Sequence, residues 1–517
     1  MGEGLLARAR VWQEPTACFR RTVRGGISRR AGLLGTLAII AMSCASPQAR
    51  PGASTPSSIE PATAAKTLTI VMRVEPASIM EGAVDRSAIH KPAFAATLGA
   101  WDLQENPYPV LVEAVPVLHS DSWRIHSDGR METTYRLREG LTWHDGKPLT
   151  AEDVAFSRRA DVARVEFGMT QTSAELRLME DIRATDPRTI TILWRGPFSE
   201  AAAPDLIPYP RHILESVLAS GSEVFTNHGF WSTDYVGAGP YRIDRWERGA
   251  FIEGVAFDGY ALGRPKIQRI RLTWGNDPTV NLTRLLAGDA DIALDGAIRF
   301  EQASILRQRW AADSGGSILL NPTSLRYIQV QARPEYVSPR ALLDVRARRA
   351  ISHAIDRVTL AETMVEDRSM VADTVPPPIV PYYRDLERAI TKYPFDSRRA
   401  EQLLGEIGYT HGADAMFVNA SQERFRFEVR GVSGGQEEQD TTIVTGNLRD
   451  RGMDASITLL PSSTRAVDEK VKGTFSGLTL NNNTLQRGLG LQKWLTTNIG
   501  GDHDGWTGGN RMGWSNP

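Results

Sequence analysis

Three stretches of this 517-residue sequence combine residue types and spacings that do chemistry in other proteins. The first, Gly431-Val432-Ser433-Gly434-Gly435, satisfies G-x-S-x-G and falls between a predicted strand and a predicted helix, the setting of a nucleophile elbow. A serine nucleophile also needs a base and an orienting acid, and in the order Ser, Asp, His the only histidine after Ser433 is His503, in a glycine-rich stretch. A glycine turn between strand and helix explains the same letters. A secreted serine hydrolase using Ser433 is therefore the alternative and not the leading reading. The second and third, His144-Asp145 and Asp502-His503-Asp504, carry imidazole and carboxylate donors that suit divalent cations. Yet His144-Asp145-Gly146 reads as a turn in which each residue has a local role. Asp502 to Gly505 is not followed by the further oxygens and terminal Glu of a calcium loop. Gly237-Ala238-Gly239-Pro240 lacks both the third glycine of a dinucleotide fingerprint and the Lys of a P-loop, so it reads as a tight turn before a strand. No catalytic residue, metal site or cofactor is expected.

The elements around these motifs begin with an unusual N-terminus. Seven arginines against two glutamates precede Ser43, so from a chain total of -1 the remaining body is mildly acidic, about -6, with no basic face for nucleic acid. Ser28-Arg29-Arg30 introduces an apolar run from Ala31 to Met42, the length of a signal-peptide core and too short for an ordinary membrane span. Cys18 lies inside this tail and Cys44 directly follows the run, so the exported body has no internal disulfide and Cys44 needs another use. Ile40-Ala41-Met42-Ser43-Cys44 resembles the lipobox of bacterial lipoproteins, which implies a lipid on Cys44. Arg29-Arg30 suits twin-arginine export, although Gly32 stands where that motif favours a bulky residue. Residues 45–65, rich in Ser, Pro, Ala and Thr, read as a flexible tether with a reach of roughly 25 Å.

Ordered sequence begins at Lys66 to Met72, a run suited to a buried strand. Thr133, Tyr135 and Leu137 alternate with polar neighbours, which predicts a strand with one face inward. Thr150 to Asp153 is spaced as a capping box and predicts a helix start, because polar side chains there satisfy amides that have no partner in the first turn. Ala347, Ile351, Ala354, Ile355 and Val358 repeat at helical spacing, as do Ala400, Leu403, Leu404 and Ile407, with Asp396 as an N-cap and Gly408 as a stop. Phe425, Phe427 and Val429 alternate, 436–451 suits a helix and 455–459 another strand, so a βαβ unit and a partly parallel sheet are expected in the later half.

The longest specific match runs Tyr135-Arg136-Leu137-Arg138-Glu139-Gly140-Leu141-Thr142-Trp143-His144-Asp145-Gly146-Lys147-Pro148-Leu149-Thr150-Ala151-Glu152-Asp153-Val154. With Val236 to Tyr241, Arg349 to Arg357 and the Asp396 to Tyr409 helix, it resembles the large extracellular solute-binding family that includes dipeptide-, oligopeptide- and nickel-binding proteins. The resemblance implies an α/β, two-lobed periplasmic-binding-protein fold of class II type with an extra subdomain in the first lobe. It divides the chain into a signal peptide (1–43), a lipid-anchored linker (44–65), lobe I (66–317, subdomain about 101–227) and lobe II (318–517). Related sequences continue beyond the segment matching Asn516-Pro517, so lobe II is expected to be incomplete at its C-terminal end, the C-terminal part truncated.

The implied function is that of an extracytoplasmic substrate-binding lipoprotein of an ABC importer, not an enzyme. It would be a monomer, held to a membrane in the periplasm or on the outer cell surface, handing a peptide or peptide-like solute to the importer's membrane subunits. Aromatic and amide groups suit a cleft that encloses such a solute. The candidates are Glu75 after the first strand, Tyr235 beside the glycine turn, Asn481, Asn482 and Asn483, Trp506 and Asn510. In peptide-binding members an Asp of the second lobe pairs with the ligand's ammonium group. The corresponding stretch here, 475–491, has no Asp or Glu, so neutral, amide-rich or blocked solutes are expected to bind better than free-amine peptides, the alternative being that Asp502 or Asp504 takes the role from a nearby loop.

Overall fold

The strand that opens the body, Thr67–Met72, lies inside a five-stranded sheet in the order 292–293, 67–72, 269–274, 251–256, 241–247. It runs parallel to both of its neighbours, Arg269–Trp274 and Ile292–Ala293, and the last two strands return antiparallel. The structure is a computed structural model that describes residues 67–80, 90–170, 172–294, 296–311, 315–319, 324–376, 380–434, 436–461, 468–484, 494–506 and 508–515. The predicted signal peptide, Cys44 and the tether lie outside the described residues, as do Asn516 and Pro517. Everything described belongs to one unit that starts at Thr63.

Between the first and later strands of this sheet the chain builds an antiparallel sheet, 123–125, 131–136, 189–194, 179–184. The predicted alternation is observed, with Met131, Thr133 and Tyr135 buried and Leu137 following them inward. The sheet packs on helix Ala151–Glu166. That helix begins where the capping box was predicted: the Asp153 carboxylate accepts the Thr150 N–H at 2.8 Å and, from across the fold, the Arg211 N–H at 3.0 Å. Trp194, fully buried, donates its indole N–H to Thr133 Oγ1 at 2.8 Å and stacks on Phe198, so its polar atom is satisfied inside this core.

The second lobe's sheet is ordered 324–330, 478–484, 426–432, 454–460. Strand Arg426–Val432, helix Gln436–Arg449 and strand Asp454–Leu460 form the expected βαβ unit with its strands parallel. The edge strand Ser324–Val330 pairs antiparallel with Leu478–Thr484. On the helical side, Asp396 caps helix Ser397–Gly405 by accepting the Arg399 N–H at 3.0 Å, and Ala400, Leu403 and Leu404 are buried. The single helical repeat read over 347–358 is two helices, Val345–Ala354 and Arg357–Val365. Asp356 ends the first register by capping the second helix, accepting the Thr359 N–H at 3.0 Å, and this turns Val358 outward to 36% exposure.

Candidate functional site

The motif with the clearest sequence signature does structural work. His144 donates its backbone N–H to the Gly237 carbonyl, its Nε2 reaches the Gly239 carbonyl at 3.0 Å, and its Nδ1 accepts the Gly237 N–H at 3.2 Å. Those two ring contacts require the neutral imidazole protonated at Nε2. Burial pushes its pKa down to about 4, so the ring stays uncharged at neutral pH. The turn it holds must be glycine at both ends, because a Cβ on Gly237 would lie 2.2 Å from the Phe94 oxygen and one on Gly239 would lie 2.4 Å from the Phe94 carbonyl carbon. Asp145 completes the turn by accepting the Lys147 N–H at 3.0 Å and pairing with His212 at 2.7 Å.

A cavity of about 2470 Å³ opens between the first sheet's region and the second lobe. Its first wall is the place where parallel strands end: Arg73 follows Thr67–Met72, and Ala293 and Leu294 finish the short neighbouring strand. Asp291 anchors that edge, its backbone N–H donating to the Thr69 carbonyl and its carboxylate accepting the Thr69 N–H at 2.8 Å. Gly296, with φ of +79°, lets the next loop pass beside the Arg73 side chain, and Arg299 sits at the start of helix Phe300–Trp310. The second wall is likewise a strand-end edge. The parallel strands 426–432 and 478–484 run toward it, the antiparallel strand 324–330 starts from it, and helix Gln436–Arg449 begins beside it. Ligands of open α/β sheets bind outside such carboxyl ends.

On this second wall the strand register sets Arg326 directly across from Asn482, so both side chains occupy one face. Arg326 Nη1 donates to both oxygens of Asp440, at 2.9 and 3.0 Å, the acid coming from the second turn of helix Gln436–Arg449. The Asp440 side chain is 10% exposed and that of Arg326 36%. Burial raises the Asp440 pKa, against the opposing pull of Arg326. Two ion pairs on the cavity wall, Arg326 with Asp440 and Arg357 with Asp373, cancel their own charge. Arg73, Arg299 and Arg348 then stand against Asp291 and Glu437, so the described lining has a cationic excess.

Of the seven residues picked from sequence, Asn481 and Asn482 line this cavity, and the Asn481 amide donates to Gln329 Oε1 at 2.9 Å. The backbone of Asn483 continues the same strand, while its side chain lies outside the described ones. Glu75 is placed elsewhere, one oxygen accepting the Trp246 indole N–H and the other the Gly249 N–H, each at 3.0 Å, which ties down a hairpin turn. Tyr235 is buried against Phe230. Trp506 has the Arg333 guanidinium 4.9 Å and the Lys470 ammonium 5.6 Å from its ring and donates to Asp502. Asn510, without exposure, donates to the carbonyls of Trp494, Leu495 and Trp514 and so knits its own segment together. Arg326 and Asp440 were not picked. Their only sequence signal was an arginine in an alternating run and an acid inside a predicted helix. The described acids of the second wall are Glu437 and Asp440, from helix Gln436–Arg449, and Asp373, and none comes from 475–491.

Ser433 lies at the same strand-end edge, its N–H donating to the Leu460 carbonyl at 2.9 Å. The glycines around it have packing and turn roles: a Cβ on Gly431 would fall 2.0 Å from Thr441 Oγ1, and Gly434 has φ of +85°. Ser433 is exposed, and its hydroxyl has no hydrogen-bonded base among the described residues.

Two α/β sheets turn their strand ends toward one cavity, the place where ligands of open α/β folds bind. The profile of the bacterial extracellular solute-binding proteins, family 5 (middle region), matches residues 113–488, and the chain belongs to that family. The oligopeptide-binding protein AppA of Bacillus subtilis (strain 168) is 22% identical over 319 residues, covering 61% of this chain and 56% of AppA. The glutathione-binding protein GsiB of Escherichia coli (strain K12) is 25% identical over 363 residues, covering 68% of this chain and 63% of GsiB. The matched region therefore spans less than two thirds of these relatives. Among solved structures, the oligopeptide-binding protein of Thermus thermophilus with a pentapeptide superposes with a TM-score of 0.62 at 22% identity, over 87% of this chain and 83% of that one. NikZ of Campylobacter jejuni with Ni(L-His) does so with a TM-score of 0.63 at 20% identity, over 87% and 84%. These likenesses establish the two-lobed fold.

Proposed function

We propose that this protein is the extracytoplasmic receptor of an ABC importer and that it captures a peptide or peptide-like solute in the cleft between its lobes. The observation that carries the reading is the 2470 Å³ cavity at the strand ends of both sheets. It exceeds the few hundred to about 1,000 Å³ typical of small-molecule pockets and leaves room for a solute of several residues. Two relatives named for oligopeptide and glutathione binding point to the same class. The lobes divide at about 317/318, and Asn481 and Asn482 contribute amide groups to the cleft. Glu75, Tyr235, Trp506 and Asn510 are committed to the bonds described above and are not part of the described cavity lining. Binding favours the closed arrangement in proportion to its differential affinity for the two states, and closure is the signal the importer reads. Cys44 carries the lipid that holds the exported protein at the membrane. The serine-hydrolase alternative has no comparable support.

Native mass spectrometry of the protein purified from its own host tests the reading. The expected spectrum has one solute of peptide mass per chain, and a protein that never carries or takes up a peptide contradicts it. The anchor is tested separately by Cys44→Ala, which is expected to move the protein from the membrane fraction to the soluble one. A lipid-free mature N-terminus elsewhere overturns that part alone.

A further inference from the structure

We infer that Arg326 is a carboxylate-reading residue of the cleft, held in place by Asp440, and that the solute carries a free carboxylate. The inference rests on the cleft being the solute site. Arginine has five N–H donors in a planar fork. Among the described residues Nη1 alone is engaged, on Asp440, and the Nε and Nη2 edge has no partner although the side chain lines the cavity. Once the lobes enclose a solute, those donors need an acceptor or their desolvation is uncompensated. A carboxylate matches the fork in spacing and charge.

The rest of the wall agrees with an anionic group. Among the described lining residues outside the two ion pairs, three arginines face Asp291 and Glu437, a net excess of one cation. Glu437, one turn before Asp440 on the same helix, is the nearby acid that opposes an anion. Asn482, across the ladder from Arg326, adds an amide on the same face. Asp440 keeps the guanidinium from turning away and so acts as a positioning residue, through Arg326, without touching the solute itself.

A tripeptide library prepared with C-terminal acids and with C-terminal amides, each with free and with acetylated amino ends, separates the outcomes when passed over immobilised protein and read by mass spectrometry. The wild type is expected to retain the acids over the amides by about tenfold or more. Arg326→Met is expected to abolish that ratio while still retaining amides. Because it leaves Asp440 buried without its partner, Arg326→Met/Asp440→Asn serves as the well-folded second variant with the same expected loss. Asp440→Asn alone is expected to lower the ratio without removing it, and Arg326→Lys to restore part of it. Equal retention of acids and amides by the wild type, or an unchanged ratio in both Arg326 variants, overturns the role of Arg326 and leaves the cleft standing. Retention of no peptide in any form overturns the cleft reading as well.

Discussion

The His144 clamp in the first lobe and the Arg326 edge in the second are both polar, both partly or wholly buried, and opposite in what they leave unspent. Every polar atom of the His144 ring has a partner inside the protein, and the glycines it holds touch the Phe94 backbone too closely to admit any side chain. Arg326 is held by one nitrogen, and the rest of its fork, which faces the cavity, has no partner among the described residues. A saturated network fixes a fold, and an unsaturated one facing a cavity fixes a ligand. Substitutions at the clamp should therefore change stability and leave specificity alone, while substitutions at the edge should do the reverse once the ion pair's own stability is separated out.

The largest expected effect is on the clamp, through pH. The folded pKa of His144, about 4, lies below its ordinary 6.5, so the unfolded chain takes up the proton first as pH falls. The stability that the neutral ring contributes is complete above pH 6.5 and is lost as pH falls from there toward 4, by about 3 kcal/mol in all. Urea denaturation of wild type and His144→Gln between pH 7.5 and 4.5 checks this. The difference between them should shrink as the medium becomes acid, and a difference independent of pH contradicts the buried neutral ring. Next in size is Arg326→Met, which should cost about 2 kcal/mol because it strands a buried carboxylate, reduced from the cost of a fully buried pair by the partial exposure of Arg326. Adding Asp440→Asn should recover most of the loss in the same melts. No recovery would show that the two side chains are not coupled.

Asp396→Ala should cost about 1 kcal/mol, the worth of a single N-cap, with no change in peptide selectivity. The smallest effect belongs to Ser433→Ala. An exposed hydroxyl without a base should change neither the denaturation midpoint, beyond about 0.5 kcal/mol, nor peptide retention. A serine-directed covalent probe that labels the wild type and not this variant would instead favour the hydrolase.

What the sequence made legible was local and periodic. The strand through Thr133 and Tyr135, the box at Thr150 to Asp153 and the cap at Asp396 depend on neighbours within a few residues, the βαβ unit follows from three consecutive elements, and all are present. The helix read through 347–358 misled because its apolar spacing survives a break that Asp356 imposes. The site was harder for a physical reason. Arg326, Asp440 and Asn482 are brought together by one antiparallel register and one helix start, the acid lying 114 positions after the arginine, and no spacing rule spans that distance. Glu75, Tyr235, Trp506 and Asn510 have the right chemistry for a cleft, but each has most of its polar or aromatic surface committed to the chain itself.

Hydrogen exchange with and without a saturating mixture of tripeptides locates the solute on the protein. A solute in the cleft protects the loop after 293, strand Ser324–Val330 and the first turns of helix Gln436–Arg449, with no change in the antiparallel sheet around 131–136. Protection confined to that sheet, or absent everywhere, would contradict it.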